Sequence, residues 1–167
     1  MGRRRLRAFT STVTALGLVA GTTLTGAAAQ AAVRPATCGW INIGLPTRYT
    51  ISGVYAGEAE QEYDTCTENV LSHFQWSAGY RNNNPYAYVR TYALGWTGVT
   101  DVETDQYAYV NQDVYSGGTE IHRSNPDNWQ VALLVEDPNG KGCGWGLGDW
   151  HIYATGGTSG TPQSPSC

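Results

Sequence analysis

Tyr86-Ala87-Tyr88-Val89-Arg90-Thr91-Tyr92-Ala93-Leu94-Gly95-Trp96 carries its large side chains at every second position. Successive side chains of a β-strand point to opposite faces. One face therefore holds Tyr86, Tyr88, Arg90, Tyr92, Leu94 and Trp96, and the other only Ala87, Val89, Thr91, Ala93 and Gly95. The period is two, and Tyr, Val and Thr suit a pleated surface. Residues 106–115 repeat the pattern, with Tyr107, Tyr109, Asn111, Asp113 and Tyr115 opposite Gln106, Ala108, Val110, Gln112 and Val114. Pairing of the two stretches as a hairpin across Gly98 to Glu103 would align the large faces. The joint surface would hold many Tyr rings interspersed with Arg90, Asn111 and Asp113.

Outward from this pair, further strands are expected at Tyr49–Tyr55, Asn69–Tyr80, Thr119–Arg123, Trp129–Glu136 and Trp150–Ala154. In Asn69–Tyr80 the even positions Val70, Phe74, Trp76, Ala78 and Tyr80 are mostly apolar, so His73 faces out. Turn chemistries separate the strands at Arg81-Asn82-Asn83-Asn84-Pro85, Ser116-Gly117-Gly118, Ser124–Asn128 and Asp137-Pro138-Asn139-Gly140. Almost nothing after Val33 looks helical. The expectation is an all-β, single-domain antiparallel sandwich or barrel of about seven short strands.

The ends add the cellular setting. Arg3, Arg4, Arg5 and Arg7, an apolar run from Val13 to Ala20, and Ala29-Gln30-Ala31 have the layout of a secretory signal. Residues 1–31 are expected to be removed, leaving residues 32–167 as one secreted β domain of ordinary size. Arg3-Arg4 leaves both the general and the twin-arginine export routes open. Removal takes four of the ten basic residues and leaves six against fourteen acidic ones, a formal net charge of about −8. Nucleic acid and anionic lipid are poor partners for such a chain. The signal stretch is too short and too rich in Gly and Thr to span a bilayer, so no membrane insertion is expected.

Cys38, Cys66, Cys143 and Cys167 make an even set, read as two disulfides. Of three connectivities, Cys38 with Cys66 and Cys143 with Cys167 close the shortest loops and pin both ends. The second would tie back the Gly, Ser, Thr and Pro-rich tail from Gly156 to Ser166. No zinc spacing appears, and neither a cofactor nor a metal is assigned.

The Tyr face has two readings. It is either the core, with hydroxyls reaching partners at the margin, or an exposed platform above a packed Ala and Val face. Arg90 and Asp113 on that face argue for exposure, because a buried charge costs several kcal/mol unless paired. Cross-strand pairing of the two would answer that cost within a core. Glu58, Glu60, Glu62 and Asp64 alternate with Ala59, Gln61 and Tyr63, which suggests an exposed edge or loop, with calcium binding as the alternative. Gly142 to Trp150 packs two Trp among glycines. Trp145 there is either a cover on the nearby disulfide or an exposed anchor for a partner.

The functional expectation rests on the platform. The chain is expected to be a secreted, non-catalytic protein recognising polysaccharide or cell-envelope glycan through Tyr86, Tyr88, Arg90, Tyr92, Tyr107, Tyr109, Asn111, Asp113 and Trp145. One alternative is a secreted inhibitor of a protease or glycosidase that presents a loop such as Asn82–Pro85 to a protein partner. Another is a small secreted hydrolase such as a ribonuclease, with His151, Arg90 and Glu120 as candidates. His73 and His122 complete the histidines, and no nucleophile-elbow or metalloprotease motif accompanies any of them.

Overall fold

Trp40–Ile51 (β1) and Val54–Asp64 (β2) form the first hairpin, joined by Ser52 and Gly53 at φ 50° and 77°. Two consecutive positive φ values mark a type I′ connection, whose twist matches the flanking strands. This turn divides Tyr49–Tyr55, which alternation alone reads as one strand. The computed structural model describes residues 37–102, 106–164 and 167, and the expected signal segment lies outside them.

Asn69–Trp76 (β3) pairs with the free side of β2. Glu58 to Asp64 is therefore interior strand and not the exposed edge or loop expected for it. Beyond Trp76 the strand gives way to a short helix, Ala78–Asn83 (α1), whose Ser77 hydroxyl accepts from the Tyr80 amide at 3.1 Å. That cap explains why the expected strand stops before Tyr80.

The chain continues through Tyr88–Gly95 (β4), Thr100–Val102 (β5), Gln106–Tyr107 (β6), Asp113–Tyr115 (β7) and Thr119–Glu120 (β8). A 3₁₀ turn at Ile121–Arg123 leads into Asn128–Glu136 (β9), Gly142–Leu147 (β10), Trp150–Ile152 (β11) and Gly157–Ser159 (β12). Twelve strands stand among the described residues where about seven were expected, because short pieces such as β5, β6 and β12 pair at sheet margins. They make two antiparallel sheets. The first runs β1-β2-β3-β7 with β8 also on β3, and the second runs β12-β11-β9-β4-β5 with β10 on β9 and β6 on β4.

Two expectations change here. The turn after β4 is tighter than Gly98 to Glu103: the Gly95 and Val99 main chains bond at 2.7 Å, and Thr100 already faces Leu94. Gln106–Tyr115 is not one strand. Ala108 and Tyr109 bond to Ala87 and Pro85 carbonyls, Val110 turns back onto Tyr107, and Gln112 then accepts from the Trp76 amide. The chain thus leaves the second sheet after Tyr107 and joins the first at Asp113.

Between the sheets lie the inward side chains. Val89, Thr91, Ala93 and Gly95 of β4 and Trp129, Val131, Leu133 and Val135 of β9 are buried, facing Tyr49, Ile51, Ala59, Phe74 and Trp76 of the first sheet. Phe74 meets Trp76 edge-on at 4.9 Å, and the buried Trp129 indole donates to the Ile121 carbonyl at 2.7 Å. Ser72 and Thr91 hydroxyls bond to each other across the gap, and the Ser116 hydroxyl accepts from the Ser72 amide. These polar atoms are therefore partnered, as burial requires.

The cysteines pair as Cys38–Cys66 and Cys143–Cys167, with Cα atoms 5.3 and 4.4 Å apart. Each closes a loop worth about 3.5 kcal/mol in the chain-entropy picture. Such bonds belong to an oxidising setting. Among the described residues no helix is long and apolar enough to cross a membrane.

Gly57 sits where β2 and β3 press together: a Cβ there would lie 2.7 Å from Phe74 Cζ and against the Gln75 carbonyl. Gly142 has open space at the same position. In urea unfolding, Gly57→Ala is expected to lose about 1–3 kcal/mol and Gly142→Ala to stay within about 0.5 kcal/mol of wild type. Equal midpoints for the two variants would contradict the close packing.

Candidate functional site

The parity of β4 decides which groups reach solvent. Val89, Thr91, Ala93 and Gly95 point into the core, so Tyr88, Arg90, Tyr92 and Leu94 stand on the outer face of the second sheet. Register adds their neighbours: Tyr107 of β6 beside Tyr88, Leu134 of β9 beside Arg90, and Val102 of β5 beside Tyr92. On β10, Trp145 pairs with Leu134, so it shares this face and meets Tyr92 at 5.4 Å.

Rings populate this face from end to end. At one end Tyr88 meets Tyr107 at 5.1 Å, Tyr107 stacks on Tyr109 at 5.7 Å, and Tyr86 turns its edge to Tyr109 at 6.0 Å. Tyr92 and Trp145 occupy the middle. Trp96 and Trp150 meet at 5.2 Å beyond Gly95. From Tyr88 to Trp96 the strand advances about 26 Å at the usual rise per residue. Tyr86, Trp96 and Trp145 are 66%, 57% and 52% exposed. Trp145 is accordingly not a cover over the disulfide.

Two concavities interrupt the band. One, of about 420 Å³, is lined by the four end tyrosines with Glu136, Asp137, Pro138 and Gly140. The other, about 470 Å³, is nearly all apolar and lies among Tyr92, Leu94, Thr100, Ala132, Trp145 and Leu147. Arg90 holds its guanidinium carbon 5.7 Å from the centre of the Tyr88 ring. The arrangement offers flat apolar faces with hydroxyls, one guanidinium and two carboxylates at their margins.

Of the sequence-selected residues, the structure brings Tyr86, Tyr88, Arg90, Tyr92, Tyr107, Tyr109 and Trp145 onto this face. Asn111 and Asp113 are not there. Asn111 lies in the crossing segment, its amide donating to Gln106 at 3.1 Å, and Asp113 belongs to β7 of the first sheet. Sequence reasoning passed over Trp96, Trp150, Glu136 and Asp137. Trp96 continues the β4 alternation and was legible, whereas Trp150 reaches the band only through the pairing of β11 with β9.

The outer face of the first sheet is chemically different. Glu58, Glu60 and Glu62 of β2 stand beside His73 and Gln75 of β3 and Asp113 of β7. Arg48 approaches Glu58 at 3.9 Å, and Asn42 donates to Glu60. His73 is held between carboxylates, Nδ1 at 2.9 Å from Glu62 and Nε2 at 3.0 Å from Asp113, with Tyr115 stacked over its ring at 4.3 Å. Burial raises the pKa of Glu60 above the ordinary carboxylate value, and Glu58 and Glu62 push it further against the pull of His73. Asp113 moves the other way, because hydrogen bonds from Gln75 and His73 and the nearby His73 and Arg81 charges outweigh its burial. Among the described residues no three His, Cys, Asp or Glu groups are placed to hold a metal ion, so the calcium alternative finds no ligand set.

His151, Arg90 and Glu120 do not converge. Glu120 lies on β8 of the first sheet, and Arg90 and His151 occupy opposite faces of the second, His151 beside the buried Trp129. Burial lowers the His151 pKa, against a smaller pull from Asp149. Neither a family model, nor a curated protein, nor a solved structure matches the chain.

His122 ties three segments together, with Nδ1 2.8 Å from Asp127 and Nε2 3.2 Å from Glu68. Hydrogen bonding to Asp127 and then Glu68 raises its pKa above the ordinary histidine value near 6.5. A raised folded-state pKa contributes stability that is fully present below 6.5 and is lost as pH climbs through the folded value. Thermal melts of wild type and His122→Ala should differ most near pH 5.5 and converge by pH 9. A gap independent of pH would show that the imidazolium does not clamp these segments. Screening by salt should narrow the acid-side gap, since His122 and Glu68 are exposed and Asp127 is only half-buried.

Proposed function

We propose that the protein is a secreted, non-catalytic binding domain that lays the outer face of its second sheet against polysaccharide or cell-envelope glycan. The observation that carries this reading is the band of eight outward rings running the length of β4, opposite a face of small residues committed to the core. Rigid aromatic surfaces contribute contact area with little loss of side-chain freedom, and here they are already ordered by ring-to-ring contact. The C–H faces of sugars stack on such rings, and the hydroxyls find Arg90, Glu136 and the tyrosine hydroxyls at the margins. An exposed apolar band of this extent is uncommon on a protein that binds nothing.

The test is a pull-down of the oxidised mature protein on chitin, cellulose and peptidoglycan over a range of salt. Retention is expected to survive high salt and to weaken about tenfold in Trp145→Ala and in Tyr109→Ala, with the unfolding midpoints little changed. Absence of retention on every glycan would sink the reading, as would variants that bind like wild type.

One observation favours a hydrolase as the second reading. Glu62 and Asp113 hold the two ring nitrogens of His73 at 2.9 and 3.0 Å, and Glu60 stands opposite His73 in the β2–β3 register with its proton affinity raised by burial, so carboxylates of different proton affinity gather around one imidazole. Release of new reducing ends from any of these glycans, lost in Asp113→Asn with folding intact, would move the function to the first sheet.

A further inference from the structure

We propose that the concavity at the tyrosine end of the second sheet is an aromatic cage for an organic ammonium group, so that the polymer recognised by this face carries alkylated or quaternary amines. The inference deepens the reading above and rests on it for the polymer, though not for the cation itself.

A neutral sugar needs one or two flat rings. Here four line a single open space of about 420 Å³: Tyr86, Tyr88, Tyr107 and Tyr109. The two middle rings, Tyr107 and Tyr109, are parallel within 13°, while Tyr88 and Tyr86 are turned 59° and 67° to their neighbours. Consecutive centroids lie 5.1 to 6.0 Å apart, the spacing of rings in contact, so the four make one continuous aromatic wall, and a cation resting against that wall can reach more than one ring at cation–π range.

The remaining polar lining is negative. Glu136 stands directly across from Tyr88 in the β4–β9 register, and Asp137 follows it. Asp137 is held as a carboxylate by the Lys141 and Asn139 amides, both 2.9 Å from its Oδ1. Two positive groups oppose the field: Arg90, whose guanidinium lies over Tyr88, and Lys141 on the turn after Asp137. Arg90 already lies within cation–π range of the Tyr88 ring.

The class of cation follows from what lines the space. Hard inorganic ions favour several oxygen ligands, and no metal-holding group of three exists among the described residues. A quaternary ammonium has no N–H to satisfy and a weakly hydrated methyl surface. It needs ring faces and a diffuse negative potential, which is what four tyrosines and two carboxylates supply.

The probe is choline, set against 3,3-dimethylbutan-1-ol, its uncharged isostere, in titrations at low salt followed by tyrosine ring resonances and by calorimetry. Choline is expected to saturate the signals of the cage tyrosines and to bind about tenfold or more tightly than the isostere. Tyr107→Leu should lose the binding, and Tyr107→Phe, which keeps the ring, should retain it. Glu136→Gln should weaken choline without strengthening the isostere. Equal binding of the two probes, or choline binding that leaves the cage tyrosines unmoved, would overturn the cage. If neutral glycans are retained and choline is not bound, the cage fails and the glycan reading stands. If choline binds and no glycan is retained, the cage stands without the polymer.

Discussion

The smallness of the inward side chains of β4 is the constraint on which the rest of the molecule depends. Val89, Thr91, Ala93 and Gly95, with Ala87 just before the strand, leave the space between the sheets to the large groups of their neighbours, above all Trp76 and Trp129. A Cβ on Gly95 would already lie 2.9 Å from Ser124 and 3.1 Å from the Trp129 ring. A shift of register by one residue would drive Tyr88, Arg90 and Tyr92 into that space and bring Val89 and Ala93 out, so the pairing with β9 has no nearby alternative. The same parity turns every large residue of β4 outward. Core packing and the aromatic band are two consequences of one alternation.

Closure of the ends follows a different logic. β10 is built from Gly142, Cys143, Gly144, Trp145, Gly146 and Leu147, a composition with poor strand propensity. It holds as a strand because β9 supplies the ladder and Cys143 is anchored to Cys167. Its glycines admit close neighbours, and Tyr49 reaches across to donate to the Gly144 carbonyl at 3.1 Å. The edge of the first sheet is managed differently. β1 leaves Trp40, Ile41 and Leu45 exposed, but a register break between Ile43 and Thr47, with Gly44 at φ 76° and Pro46 beside it, interrupts the flat ladder that another chain could extend. The carboxylate of Asp149 fills the bulge, accepting from the Leu45 amide at 3.4 Å.

What could be read from the sequence divides along the same lines. The all-β class, the β4 alternation, the outward His73 and the disulfide pairing are local or nearly local signals: each needs only a period of two or a short loop. What could not be read depends on chain segments meeting from a distance. The acidic run on β2 looks unstable as a strand until Arg48 and Asn42 from β1 and His73 from β3 are placed beside it. The crossing at Ala108 to Gln112 keeps the alternation of its flanks, so nothing in the pattern reveals that Tyr107 and Asp113 belong to different sheets. β10 is hidden because its strand character comes from its partner. Trp150 joins the aromatic band through a pairing whose register no stretch of sequence carries by itself.

The two outer faces, finally, are complementary in what they exclude. The first sheet exposes carboxylates around one histidine, and the second exposes rings with few charges. On a surface bearing both neutral polymer and anionic groups, the acidic face would be repelled and the aromatic face would not, so the sandwich would settle in one orientation. The formal net charge of −4 adds to that bias at low ionic strength, and the effect fades with screening. Stacking does not fade with it. Stacking through rings and repulsion through charge therefore differ in their salt dependence, and this fold carries the two chemistries on the outer faces of opposite sheets.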